Sequence, residues 1–143
     1  MKMLFLNPAD KDVQTLEVPH EIDEWYKILG CELVEMPVRY INGRPFTIIC
    51  DEEGAYRKDC RISAIDSCGK VMLVGPLLIC KEDKQSDCGQ ITELTDSDIA
   101  FIKRHVRRVP TRSYPDGCLM LTDVWYSAFP PGSRMTVNTL YFY

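Results

Sequence analysis

Long hydrophobic runs are missing from this sequence. The longest near-continuous one, VMLVGPLLIC at residues 71–80, is about half of the roughly 20 apolar residues a membrane-crossing helix needs. No membrane partner is expected. Histidine is scarce as well: His20 and His105 are the only two, and they lie far apart. A metal centre would therefore have to rest on cysteine, and structural zinc sites draw their ligands as close pairs two to four residues apart. No such pair exists among the seven cysteines at 31, 50, 60, 68, 80, 88 and 118; Cys60 to Cys68 and Cys80 to Cys88 each enclose seven residues. The expectation is no metal and no cofactor. Glycine-rich phosphate loops and hydrolase elbows are also missing. The opening MKMLFLNPADK has too few apolar residues for a secretory signal. With an odd cysteine count, that predicts reduced thiols and a cytoplasmic setting.

What is present is an ordinary globular composition, 45% hydrophobic and 27% charged over 143 residues, long enough for one core and expected to form a single domain over 1–143. KMLFL and VQTLEV read as a strand pair, and PHEIDEWYKILGC as a helix over 20–29 closed by Gly30. CELVEMPV and FTIIC read as an antiparallel hairpin with Asn42-Gly43 near its tip. The 71–80 run reads as one core strand, bulged or bent at Gly75-Pro76. LTDSDIAFIKRHVRRVP predicts a helix from N-cap Thr95 to residue 108, with Ile99, Ile102, Val106 and Val109 on one face. The tail from 109 reads as a β-hairpin extension around PPGS, with strands apolar enough to pair within the chain or across a homo-oligomer. Together these give an α+β fold: a mostly antiparallel sheet of about six or seven strands covered by two helices.

Three features could carry chemistry. Asp51, Glu52, Glu53 and Gly54 end the FTIIC strand, and three consecutive carboxylates alternate sides on an extended chain, so only Asp51 and Glu53 could share a face. They read as a structural bend, with Asp51 capping it and Gly54 supplying a backbone geometry that other residues resist. Lys103, Arg104, Arg107, Arg108 and Arg112 form the basic stretch. Residues 101–143 hold six Lys or Arg against two acids, whereas 1–100 hold eleven against nineteen. Such a face could hold nucleic acid or a nucleotide, although cations late in a helix also suit its dipole. Cys60, flanked by Arg57, Lys58 and Arg61, is the best candidate for an activated thiol.

The order EWYKILGCELVEMPV, FTIICDEEG, VGPLLIC and ELTDSDIAFIKRHV resembles an uncharacterised family of small bacterial and phage proteins, the domain of unknown function 3846, over about residues 1–108. AYRKDCRISAIDS departs from the family's usual sequence after EEG. The resemblance implies a phage, prophage or mobile-element setting and supplies no catalytic residues. The expected function is therefore that of a non-enzymatic accessory protein binding a protein partner. An anion binder using residues 103–112 is the alternative, and a cysteine or carboxylate enzyme the third reading.

Overall fold

The structure is a computed structural model describing residues 1–58, 60–85 and 90–129. Strands β1 (Lys2–Leu6) and β2 (Gln14–Glu17) form the opening hairpin, in register from Lys2↔Glu17 to Phe5↔Gln14. Helix α1 (Ile22–Leu29) carries Asp23 and Glu24 in its first turn and Lys27 in its last, as the helix dipole favours. It ends at Gly30 with φ 68, a left-handed geometry that glycine adopts without a Cβ penalty. Next, β3 (Val34–Glu35) and β4 (Val38–Ile41) pair with β5 (Arg44–Asp51). Asn42 and Gly43 both have positive φ, 46 and 88, which matches the right-handed twist of a two-residue hairpin.

A 3₁₀ turn at Gly54–Tyr56 leads to β6 (Ile62–Ile65), which pairs antiparallel with β7 (Val71–Val74). The Asp66 carboxylate closes their turn by accepting the N–H groups of Cys68 and Lys70, both at 2.8 Å. The chain continues through β8 (Leu77–Glu82), β9 (Ile91–Thr92), α2 (Asp96–Lys103), β10 (Val106–Val109), β11 (Cys118–Leu121) and β12 (Val124–Trp125).

These strands make two sheets. The larger runs β12-β4-β5-β8-β1-β2, with β3 added on β5 and β9 on β8; the smaller runs β10-β11-β6-β7. Only β11 with β6 is parallel among the described pairs. The larger sheet is the middle layer. Leu77 and Ile79 of β8 face one hydrophobic cluster, joined by Ala64 and Leu73 of the smaller sheet and by Ile99 and Ile102 of α2. Leu78 and Cys80 face the other cluster, completed by Trp25 and Leu29 of α1. A strand covered on both faces reads as an unbroken apolar run, and that is the signature of β8.

The fold class is α+β and mostly antiparallel, but the expected single sheet of six or seven strands is two sheets with twelve strands among the described residues. The 71–80 run is two strands, not one: Gly75, at φ 79, turns the chain out of the smaller sheet into the larger. Helix α2 stops at Lys103 instead of residue 108, because Val106 and Val109 bury partly in a strand pairing with Leu121 and Cys118. A spacing of three between apolar residues suited a helix, yet β-branched ends and pairing with β11 decide for a strand. The tail's first described strands, β11 and β12, join different sheets. The PPGS turn and the strand expected after it lie outside the described residues. No helix among the described residues is long and apolar enough to cross a membrane.

Candidate functional site

The Asp51–Gly54 segment is a bend built by its own side chains. One Asp51 oxygen accepts the Glu53 N–H at 2.9 Å, and the other accepts Arg57 Nε at 2.8 Å. Glu52 and Glu53 point to solvent, while Gly54 is buried. The reason for glycine differs from the expected one. Gly54 does not have positive φ; instead a Cβ there would lie 3.3 Å from the Val74 carbonyl oxygen and 3.5 Å from its Cγ2. Close packing, not backbone strain, keeps position 54 small.

The basic stretch does not form one helical face. Lys103 is the last residue of α2 and Arg104 its C-cap, with the Arg104 guanidinium 5.5 Å from the Phe101 ring. Arg107 and Arg108 are neighbours on β10, so they leave the strand on opposite sides. Arg108 is occupied: it donates to the Gly117 carbonyl at 3.1 Å and the Asp10 carbonyl at 2.8 Å, fastening two loops. Arg112 lies exposed in the following loop.

The thiols divide by burial. Cys31, Cys50, Cys80 and Cys118 are buried; Cys60 and Cys68 are exposed; all six are free. Burial pushes the Cys50 and Cys80 thiols up to about 12, for Cys50 with further help from the Glu35 carboxylate 3.6 Å away. Two of the three cations beside Cys60 have other partners: Arg57 holds Asp51, and Arg61 stacks 3.9 Å over the Tyr114 ring. His105 Nδ1 lies 3.2 Å from Asp123, whose second oxygen accepts the Ser67 hydroxyl at 3.1 Å. The serine therefore donates to the carboxylate and not to the imidazole, which is not the order of an activated nucleophile.

Two surfaces stand out that residue spacing did not announce. The first is a cleft of about 380 Å³ between the start of β5 and the end of β8, floored by Asp98. Arg44 Nη2 and Lys81 Nζ each donate to one Asp98 oxygen at 2.8 Å. The Asp98 side chain is only 6% exposed, against 43% for Arg44 and 32% for Lys81. Thr95 completes a capping box by donating its N–H to Asp98 at 2.9 Å and accepting the Asp98 N–H at 3.1 Å. Burial pushes the Asp98 carboxyl up, but the Lys81 and Thr95 hydrogen bonds outweigh it and hold the group below the usual carboxylate range. The cleft exists because the β5–β8 ladder stops at Thr47↔Cys80. The next hydrogen-bonded pair in that register would be Pro45 with Glu82, and proline has no N–H to give.

The second surface is a sheet edge that is open among the described residues. Cys50 pairs with Leu77 of β8 on one side and Glu35 of β3 on the other, so β3 and β4 both lie on the side of β5 away from β8. The Glu52 N–H donates to the Leu33 carbonyl and the Ile48 N–H to the Pro37 carbonyl. By alternation, the backbone groups of Val34, Met36 and Val38 point outward. Among the described residues, β12 covers this edge only at Tyr40 and Ile41. Apolar side chains crowd the remainder: Leu33 is 49% exposed, Met36 40% and Val38 41%.

The model of a domain of unknown function, DUF3846, matches residues 1–107. The chain belongs to the DUF3846 family. No curated protein and no solved structure matches it. The DUF3846 match takes in the bend, the cleft and the open edge, but ends within β10. Strand β11, which lies between β10 and β6 with all four residues buried, therefore falls beyond the matched residues.

Proposed function

We propose that this DUF3846 protein is a small cytoplasmic accessory protein of phage, prophage or mobile-element type, non-enzymatic, which acts by binding a protein partner. The observation that carries this reading is the edge at Val34–Val38, where outward backbone groups coincide with exposed Leu33, Met36 and Val38. A sheet edge of that kind is a template for an added strand: main-chain hydrogen bonds give affinity and alternate side chains give specificity. β12 already docks further along the same edge, pairing Val124 with Ile41 and Trp125 with Tyr40. The occupant is an extended, apolar-alternating segment of the partner, laid in line with β12. The mobile-element setting rests on the family resemblance.

The test is site-specific photo-crosslinking in the source cells, with the reactive side chain at Met36 and, as a control, at Val71, an equally exposed residue on the smaller sheet. Position 36 should give one discrete heteromeric adduct, reduced by Val34→Pro, whereas position 71 should not. Equal yields from both positions, or an adduct of two copies of this chain, would overturn the reading.

A further inference from the structure

We infer that the Arg44–Lys81 cleft is a binding site for the phosphate group of a small molecule, with the ligand's body resting against Pro45 and Val38. The inference starts from donor accounting. A guanidinium carries five N–H donors and an ammonium three. Arg44 and Lys81 each commit one to Asp98, and no other hydrogen bond to a described residue accounts for the rest. Two cations against one carboxylate leave one positive charge in excess on the cleft floor.

The donors are held in place before any ligand arrives. Asp98 is fixed by the capping box at the start of α2, and the Arg44 guanidinium lies 4.2 Å over the Phe101 ring and 5.7 Å from Phe46. Such stacking orients the planar fork, which suits bidentate contact with a phosphate. Both cations are partly withdrawn from water, so an anion meets them at lower dielectric than at an open surface. Lys84 adds a cation at the rim.

Glu82 and Asp83 also line the cleft, so with Lys84 its charges number three of each sign, and the positive excess is local to the floor at Arg44 and Lys81. Asp83 accepts the Gln85 N–H at 3.0 Å through one oxygen and keeps its negative charge at the rim, where Lys84 offsets it. Glu82 follows Lys81 along β8 and leaves the strand on the opposite face, the face of Pro45 and Val38, so it flanks the ligand's body and not the phosphate. The apolar wall comes from Val38, Pro45 and the edge of Phe46. At about 380 Å³ the space fits a small molecule rather than a folded partner. The site stands independently of the β3–β4 edge, so the failure of either leaves the other in place.

The experiment is an NMR titration of the ¹⁵N-labelled protein with inorganic phosphate, with adenosine 5′-monophosphate and with a short single-stranded oligonucleotide. Phosphate and the nucleotide should shift the Arg44 Nε–H resonance and the amides of Thr47 and Lys84, the nucleotide about tenfold more tightly because it adds the apolar contact. Lys81→Gln should weaken both at least tenfold while Arg112→Gln leaves them unchanged. Should Lys81→Gln fail to fold, the wild-type Arg44 side-chain resonance still decides. Unmoved cleft resonances at millimolar phosphate, shifts confined to Arg104, Arg107 and Arg112, or binding by the oligonucleotide alone would overturn the inference.

Discussion

At the scale of single residues, what a side chain holds matters more than its charge. Glu52 and Glu53 hold nothing among the described residues beyond their backbone roles, so their joint replacement by glutamine should leave the melting temperature within about a degree, consistent with surface effects of a few tenths of a kcal/mol. Gly54→Val forces branched carbon against the Val74 carbonyl and should cost about 1–3 kcal/mol in a denaturant titration. Asp98 is the opposite case to the glutamates. Its carboxyl is held below the ordinary value of 3.8, so its contribution to stability is full above that pH and is lost as pH falls toward and through the folded-state value. Asp98→Asn should therefore cost about 2–3 kcal/mol at pH 7, and the gap to wild type should shrink below about pH 4. Stability curves for both proteins from pH 7 to pH 3 check the sign. The thiols follow burial: Cys60 and Cys68 should alkylate in the native protein, while Cys31, Cys50, Cys80 and Cys118 should wait for denaturant.

At the scale of elements, much was legible in the sequence where a local signal agreed with its surroundings. Gly30 ends α1, Asn42-Gly43 turns the β4–β5 hairpin, and Thr95 caps α2, because each uses chemistry contained within a few residues. The misread elements needed a partner from elsewhere. Val106 and Val109 fit a helical face until β11 offers a ladder, and the 71–80 run looks like one strand until Gly75 carries it between sheets. The basic stretch was misread with the helix that was to carry it. Once β10 is a strand, Arg108 is a fastener and its neighbours are solvated. Lys103, Arg104, Arg107 and Arg112 changed together to glutamine should alter stability by only a few tenths of a kcal/mol. Arg108→Gln alone, which releases the Gly117 and Asp10 carbonyls, should cost about 1 kcal/mol. Thermal unfolding of the two variants side by side measures the contrast.

At the scale of the whole molecule, a central sheet is covered on one face by α1 and on the other by α2 and a second sheet. The order of these layers could not be read from spacing, because a strand buried on both faces carries no alternation to say which layer lies above it. The cleft was equally hidden. Arg44 and Asp98 are 54 residues apart and Lys81 and Asp98 are 17 apart, and only Pro45, placed opposite Glu82 by register, hints that the sheet must part there. Among the described residues, the layered packing leaves the β3–β4 edge uncovered, and the proposed function rests on that edge. Hydrogen exchange of the protein alone and in its native complex tests it most directly. The amides of Val34, Met36 and Val38 should exchange fast in the free protein and slow at least tenfold in the complex, as paired strand amides do. Unchanged exchange at those three amides, with new protection falling on residues 103–112 instead, would contradict the account.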